Sequence, residues 1–591
     1  MKNLLYLNKY FIKYRVRFLL GILFVGLSNY FGVLIPQQIR KALDFVQGSI
    51  VKYESADSVL KEVLHGELGN ALMTFAGIVI GFSLLKGILM YWMRQTIIVM
   101  SRLIEYDLRK EIFEHLEKMD LAYYKRNKTG DFMSRISEDV SKVRMYLGPA
   151  ILYGINIVTL FTMTIYAMFS VNATLTWFTL IPLPILSITI FYVSSKIHDR
   201  SSLIQQQLST LTSNAQEVYS GMSVIKSYVK ENQFAHFFKA ESEDFKSKSM
   251  DLAKINALFF PVMIVLISAS TLIVIYVGGL EVSKGNITPG NIAEFIVYVN
   301  MLTWPVTSIG WIASIIQQAE ASQLRINKLL NEVSELDKTG VVDGNLDVDI
   351  AFKNVSFVYP DTGIEALKNV SFTLKKGEKM AIIGRTASGK STIADLFLRM
   401  YDVTEGSITY GGVDIKKIKI DNLRQKIGYV PQDVFLFSDS VSNNIAFGNK
   451  NVTQKTIENY ASYAAIHNEI ENLPEGYQTT MGERGVTLSG GQKQRISIAR
   501  AFIKNPDIVI LDDCLSAVDT DTEHKIMNYL NDVLKDKTAI IITHRITNLI
   551  SLDKILVLEN GEILEMGTHE ELIEQNGYYK DLLDQQLGIM G

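Results

Sequence analysis

The run KMAIIGRTASGKST at residues 379–392 joins an apolar, strand-like segment to a glycine-bounded loop and then to the helix-forming STIADLFLRMY. Gly384, Gly389, Lys390 and Ser391 fall in the G-x-x-x-x-G-K-[ST] pattern, and each type has a task there. The glycines let backbone N–H groups wrap phosphates at a helix N-terminus, the lysine reaches the β- and γ-phosphates, and the serine hydroxyl ligates Mg2+. Gly384, Arg385, Thr386, Ala387, Ser388, Gly389, Lys390, Ser391 and Thr392 are therefore candidate nucleotide contacts. A second apolar run, IVIL at 508–511, ends in two adjacent acids. Asp512 stands where such a site carries its Mg2+ carboxylate, and Asp513 where an attacking water would need a base.

Between the two runs lies LSGGQ, Leu488 to Gln492, followed by KQRISIARAFIKNPD. In isolation Ser-Gly-Gly is a turn in front of a helix. Standing after the phosphate loop and before the acidic strand, it reads as part of the same nucleotide chemistry.

What must position these groups is a chain of two halves. Of 591 residues 48% are hydrophobic, and the excess is concentrated before about residue 320, while the remainder alternates charged and apolar segments as globular domains do. The length exceeds one ordinary core. A net charge of −3 leaves no basic surplus for a nucleic-acid partner. Cys514 is the one cysteine, so no disulfide forms within the chain, and a small buried residue is the role its type predicts. Six stretches approach the roughly 20 apolar residues needed to cross a bilayer: 18–35, 71–93, 147–170, 175–193, 258–280 and 295–319. The first follows a basic N-terminus, but no small-residue cleavage site closes it, so it reads as a retained span. Lys86, a charge inside the second stretch, reads as snorkelling or pairing in the helix bundle ahead of a substrate contact.

The connections are unequal. SVNAT joins the third and fourth stretches and EVSKGNITPGN the fifth and sixth, whereas the connections after the second and fourth are long and rich in Lys and Arg, as are residues 1–17. The positive-inside rule then places the N-terminus, these connections and the C-terminal half in the cytoplasm. Residues 94–120 and 226–257 keep helical spacing, so these spans are predicted to continue as helices beyond the lipid for roughly 30–35 Å. Turns are expected near 121–135 and 213–227.

With its motifs in this order, the chain resembles an ATP-binding cassette (ABC) exporter half-transporter of the type IV fold, similar to bacterial multidrug and lipid exporters. The resemblance implies a membrane all-α domain of six helices with long intracellular extensions at 1–320, a linker at 321–347, and an α/β P-loop nucleotide-binding domain at 348–591. It implies two cassettes packed head to tail, each ATP held between the phosphate loop of one and the LSGGQ of the other, with ATP and Mg2+ as cofactors. Tyr359 in VSFVYP then matches the aromatic that stacks on adenine. Gln432 in YVPQD matches the glutamine that senses and ligates Mg2+, and His544 in ITHR the histidine that contacts the γ-phosphate. Ser489, Gly490, Gly491 and Gln492 would meet the partner's nucleotide. Glu483 and Arg484 in GERG match the exporter segment ahead of the signature, and Asp519 matches the D-loop. The turns near 121–135 and 213–227 resemble the coupling helices that pass cassette closure to the membrane helices.

Two residues depart from the family pattern. Asp513 stands where glutamate is usual; its carboxylate falls about 1–1.5 Å short, and misplacement on that scale costs about a hundredfold in rate. Slow hydrolysis at this site is predicted, with Asp513, His544 and Gln432 as catalytic residues. The aspartate resembles that of the degenerate-site subunit in heterodimeric bacterial multidrug exporters, which keeps LSGGQ intact for its partner. A different half-transporter is the favoured partner; a homodimer in which Asp513 is a slower base stays open because His544 is present. Ala387 stands where glycine is usual, and its methyl group is predicted to weaken binding little.

The expected function is ATP-driven export of an amphipathic small molecule, drug or lipid across the cytoplasmic membrane by alternating access. The spans are apolar and aromatic with scattered polar or amphipathic groups, Asn156, Asn300, Thr303 and Trp304, whose plainer reading is helix packing. A peptide exporter of the same mechanism and a nucleotide-gated channel or transport regulator stay as alternatives. Residues 1–17 are too few for a fused N-terminal peptidase. Six spans exclude a soluble cassette ATPase acting on nucleic acid.

Overall fold

The computed structural model describes residues 2–54, 58–336, 340–343, 348–449, 451–482, 488–515, 520–544 and 552–586; Glu483, Arg484 and Asp519 lie outside the described residues. The chain forms two compact units. One comprises Met1–Glu117 with Gly130–Glu332, the other Lys118–Thr129 with Val333–Gly591.

The first unit is helical because its apolar runs have to satisfy every backbone N–H and C=O within themselves when they cross lipid. Among the described residues, five helices are long and apolar enough to do so: Arg15–Lys52, Val63–Leu116, Thr129–Val171, Glu231–Ser283 and Pro289–Asn331. The fourth predicted stretch, 175–193, lies on helices Ala173–Leu180 and Pro182–Ser220, and Ile181 between them keeps helical dihedrals, φ −53° and ψ −42°. Pro182 has no N–H to return to the preceding turn, so the hydrogen-bond ladder is interrupted there. The predicted extensions are continuous: Ser58–Leu116 runs 59 residues and Glu231–Ser283 runs 53. Short helices, Leu121–Arg126 and Met222–Ser227, stand where the sequence places the turns.

Polar contacts tie this unit together. Gln207 donates to Glu241 at 2.6 Å, and Lys248 donates to Gln207 at 2.9 Å. Tyr6, Lys9 and Tyr10 all donate to Glu111, while Lys13 and Tyr14 donate to Asp107. Asn29 donates to Asn156 at 3.0 Å and to Thr159 at 2.6 Å. Lys86 lies close against Gly32, where an added Cβ would stand 3.2 Å from its Nζ. Asn156 thus joins two helices of this unit.

The second unit carries strands β1 (Ile350–Val358), β2 (Glu365–Leu374), β3 (Lys379–Gly384), β4 (Glu405–Tyr410), β5 (Val413–Asp414), β6 (Ile427–Val430), β7 (Ile508–Asp512), β8 (Thr538–Ile542), β9 (Lys554–Glu559) and β10 (Glu562–Gly567). They form a four-stranded antiparallel sheet, β2-β1-β4-β5, and a six-stranded sheet, β10-β9-β3-β8-β7-β6. The larger sheet is parallel from β9 to β6. Continuous apolar runs such as KMAIIG and IVIL suit it, because a parallel sheet is covered on both faces. All of IVILD in β7 is buried. Register places Ile382 opposite Ile542, Ile542 opposite Asp512, and Leu511 opposite Val430. The carboxyl ends of β3, β8, β7 and β6 therefore line one edge, where open α/β sheets bind their ligands.

Candidate nucleotide site

The loop that leaves β3 is shaped by its two glycines. Gly384 has φ +154°, and a Cβ there would stand 2.1 Å from the carbonyl oxygen of Leu558; Gly389 has φ +100°, and its Cβ would stand 2.5 Å from that of Ala366. Both clashes are with backbone, so neither position admits a side chain. Gly389 then opens helix Lys390–Phe397 without a side-chain cap, which leaves the first helical N–H groups for an anion. Ala387 between them has φ +65°. The letter shows the methyl group but not the backbone, and the left-handed backbone is the larger consequence, since a Cβ there costs about 1 kcal/mol or more relative to glycine.

Lys390 is buried, and its ammonium donates to the carbonyls of Gly384 at 2.9 Å and Arg385 at 2.6 Å, with Ser388 Oγ at 3.4 Å. Arg385 itself points outward, its guanidinium 5.8 Å from the centre of the Tyr578 ring. The Ser391 hydroxyl lies near Asp512, the last residue of β7, and acts to lower its carboxyl. Burial pushes the Asp512 carboxyl above the usual aspartate range; the Ser391 hydroxyl opposes this, the Asp513 charge adds to it, and Lys390 and His544 oppose it. Burial likewise lowers the Lys390 ammonium, against the pull of Asp512 and Asp513. Lysine and carboxylate are thus both held in surroundings that disfavour their charge, a condition that a polyphosphate and a divalent cation would relieve.

Asp513 has φ +45°, tolerated by aspartate, and its N–H donates to Ile542 at 2.9 Å. Gln432 follows β6 and is exposed, and His544 follows β8 and is exposed, its carbonyl accepting from Gln586 at 2.5 Å. The topology sets these residues at neighbouring strand ends beside Asp512. Tyr359, at the end of β1, is partly buried and shares a hydrogen bond with Thr392 at 2.9 Å, which joins the aromatic to the phosphate-loop helix. Cys514 is buried and free, as its type predicts.

Ser489 caps helix Gly490–Phe502. Its Oγ accepts from the Gln492 N–H at 3.2 Å, and Gln492 Oε1 accepts from the Ser489 N–H at 2.9 Å. Ser489 and Gly490 are exposed, and Gly491 is buried. Glu469, absent from the sequence expectations, accepts from Gln492 at 2.8 Å and from Arg495 at 2.6 Å, and so braces the start of this helix. Only a fold that folds residues 465–470 onto the helix makes that partner visible.

Mg2+ fits the donor set at the phosphate loop. The Ser391 hydroxyl and the Asp512 carboxylate are hard oxygen donors near each other, and Mg2+ is held by few protein oxygens together with phosphates. Among the described residues no cluster of three or more His, Cys, Asp or Glu side chains could hold a metal by itself.

Residues 8–306 match the ABC transporter transmembrane region family and residues 367–516 the ABC transporter family. The chain is 36% identical over 583 residues, 98% of it and 97% of the relative, to a probable multidrug resistance ABC transporter ATP-binding/permease protein of Bacillus subtilis. It is 34% identical over 503 residues, 85% of it and 82% of the relative, to an ATP-dependent lipid A-core flippase of Syntrophus aciditrophicus. Among solved structures it is similar to a bacterial Atm1-family ABC exporter with ATP bound, with a TM-score of 0.76 at 26% identity over 97% of this chain and 99% of that one.

Proposed function

We propose, for a chain that belongs to the ABC transporter family across both its membrane helices and its nucleotide-binding unit, that it is one half of a dimeric exporter driving an amphipathic small molecule, drug or lipid across the cytoplasmic membrane with ATP. The observation that carries the reading is the loop at 384–391, with Lys390 drawn onto its carbonyls and Ser391 beside Asp512. Lys390 binds the β- and γ-phosphates, and the loop N–H groups receive the remaining phosphate oxygens. Ser391 and Asp512, with Gln432, hold Mg2+, which neutralises phosphate charge when bound. Tyr359 stacks the adenine. Ser489, Gly490, Gly491 and Gln492 meet the nucleotide of the other half, as Glu483, Arg484 and Asp519 would at the same junction. Asp513 orients the attacking water from a carboxylate one methylene short of the usual length, and His544 contacts the γ-phosphate. Cassette and N-terminus face the cytoplasm, in keeping with the basic residues 1–17 and the basic long connections.

The short acid beside an intact signature favours a different half-transporter as partner. A self-paired chain is the second reading, favoured by His544. The ATPase rate of this chain alone in lipid bilayers separates them, with Lys390→Ala as the blank and Asp513→Glu alongside. Little turnover in the wild type, with nucleotide still bound, is the expected result for a half that needs another partner. Turnover lost in the blank and raised about a hundredfold in Asp513→Glu would favour the self-paired reading. Binding unaffected by Lys390→Ala would overturn the site. Dye accumulation in inverted vesicles tests export itself, and ATP-gated conductance without accumulation would replace it with a channel.

A further inference from the structure

The segment Lys118–Thr129 belongs to the second unit, although residues 130–332 separate it from the rest of that unit. It is firmly seated. Ala122 is 2% exposed in the core beneath β1 and β2, Asp120 accepts from the N–H groups of Tyr123 and Glu335, and Arg126 pairs with Glu335 at 2.7 Å. From this seat Lys125 extends over the aromatic pair beside the phosphate loop. Its Nζ is 5.0 Å from the centre of the Tyr359 ring and 5.2 Å from that of Tyr401, and the two rings meet edge-on at 5.6 Å. Tyr359 is held from the other direction by its hydrogen bond to Thr392. Burial pushes the carboxyl of Asp395, on the phosphate-loop helix, up to about 6, and the nearby Lys125 charge opposes that rise.

We infer that Lys125 is a positioning residue for the nucleotide base: it fixes the ring of Tyr359, so that base recognition depends on the 118–129 segment being seated. A cation over a tyrosine face at an exposed site contributes a modest attraction, enough to bias the orientation of one ring. Coupling of this kind is reciprocal, so the base in turn holds the segment in place. The inference rests on the reading of Tyr359 as the adenine platform.

The test uses the full chain in lipid nanodiscs and compares a non-hydrolysable ATP analogue with tripolyphosphate, which has the phosphates and no base, both with Mg2+. Lys125→Ala is expected to weaken the analogue about two- to fivefold and leave tripolyphosphate unchanged, with Lys125→Arg restoring the analogue. Equal weakening of both probes would make Lys125 a purely structural contact and overturn the inference, as would no change in either. Tyr359→Ala separates the two levels. If it leaves the analogue's affinity intact, the platform reading fails and takes the inference with it; if it weakens the analogue alone while Lys125→Ala does nothing, only the inference falls. Amide exchange over 118–129 gives a second readout: the analogue slows exchange in the wild type more than tripolyphosphate does, and Lys125→Ala abolishes that difference. Equal slowing by the two probes in the wild type would also overturn the inference.

Discussion

The phosphate loop and the signature turn both open a helix with glycine and serine, yet they finish that helix end in opposite ways. Gly389 offers no side chain, Lys390 turns back onto its own loop, and the donors that follow are left to a ligand. Ser489 and Gln492 complete a reciprocal cap, and Glu469 braces them from behind. One end is chemically incomplete within the chain and the other is already satisfied. The difference fits a division of labour in which the first loop binds nucleotide for its own chain and the second offers a finished, exposed edge to the nucleotide of another.

The comparison breaks most visibly in affinity and turnover. Lys390→Ala is expected to lower ATP affinity of the isolated chain and turnover of the assembled dimer by about a hundredfold or more, whereas Ser489→Arg should lower turnover on that scale and leave the isolated chain's affinity nearly unchanged. Calorimetric titration and phosphate release measure the two, and an affinity loss in Ser489→Arg would abolish the distinction. Glu469→Gln sharpens it at the signature side. Arg495 loses a charged acceptor while largely buried, which should cost about 1–3 kcal/mol in denaturant unfolding and slow the dimer without changing the isolated chain's affinity. The smallest effect is at the phosphate side. Ala387→Gly relieves the left-handed strain and should stabilise the nucleotide-binding unit by about 1 kcal/mol, with a several-fold gain in ATP affinity; a less stable glycine variant would show that the strain is relieved elsewhere.

How much of this could be read from the letters follows from how local each feature is. Gly384, Lys390 and Ser391 were legible because a phosphate loop is one uninterrupted segment whose spacing is its chemistry. Asp512 was legible because its strand is a short apolar run with an acid at the end. Helix continuity through 94–116 followed from spacing alone. The junction of Tyr359 with Thr392 and Lys125 was not legible, because three distant segments meet there only after the sheets form. Glu469 was hidden for the same reason. At Ala387 the letter carries the methyl group but not the φ, and the φ dominates. The stretch 175–193 shows what hydropathy leaves out: it sums apolar residues across Pro182, where the hydrogen-bond ladder is interrupted although Ile181 keeps helical dihedrals.

The clasp between the N-terminal tyrosines and lysines and the acids of the second long helix has a consequence for how the chain is made. Tyr6 and its acceptor Glu111 lie 105 residues apart. At about 5–20 residues per second, ribosomal synthesis delivers Glu111 roughly 5–20 s after Tyr6. Through that interval Lys9 and Lys13 have no acidic counterpart from this helix, which is when uncompensated positive charge can set the direction in which the first hydrophobic segment enters the bilayer. Only once Asp107 and Glu111 have emerged can they pair with Lys9 and Lys13, so the contact forms after the first hydrophobic segment has been made.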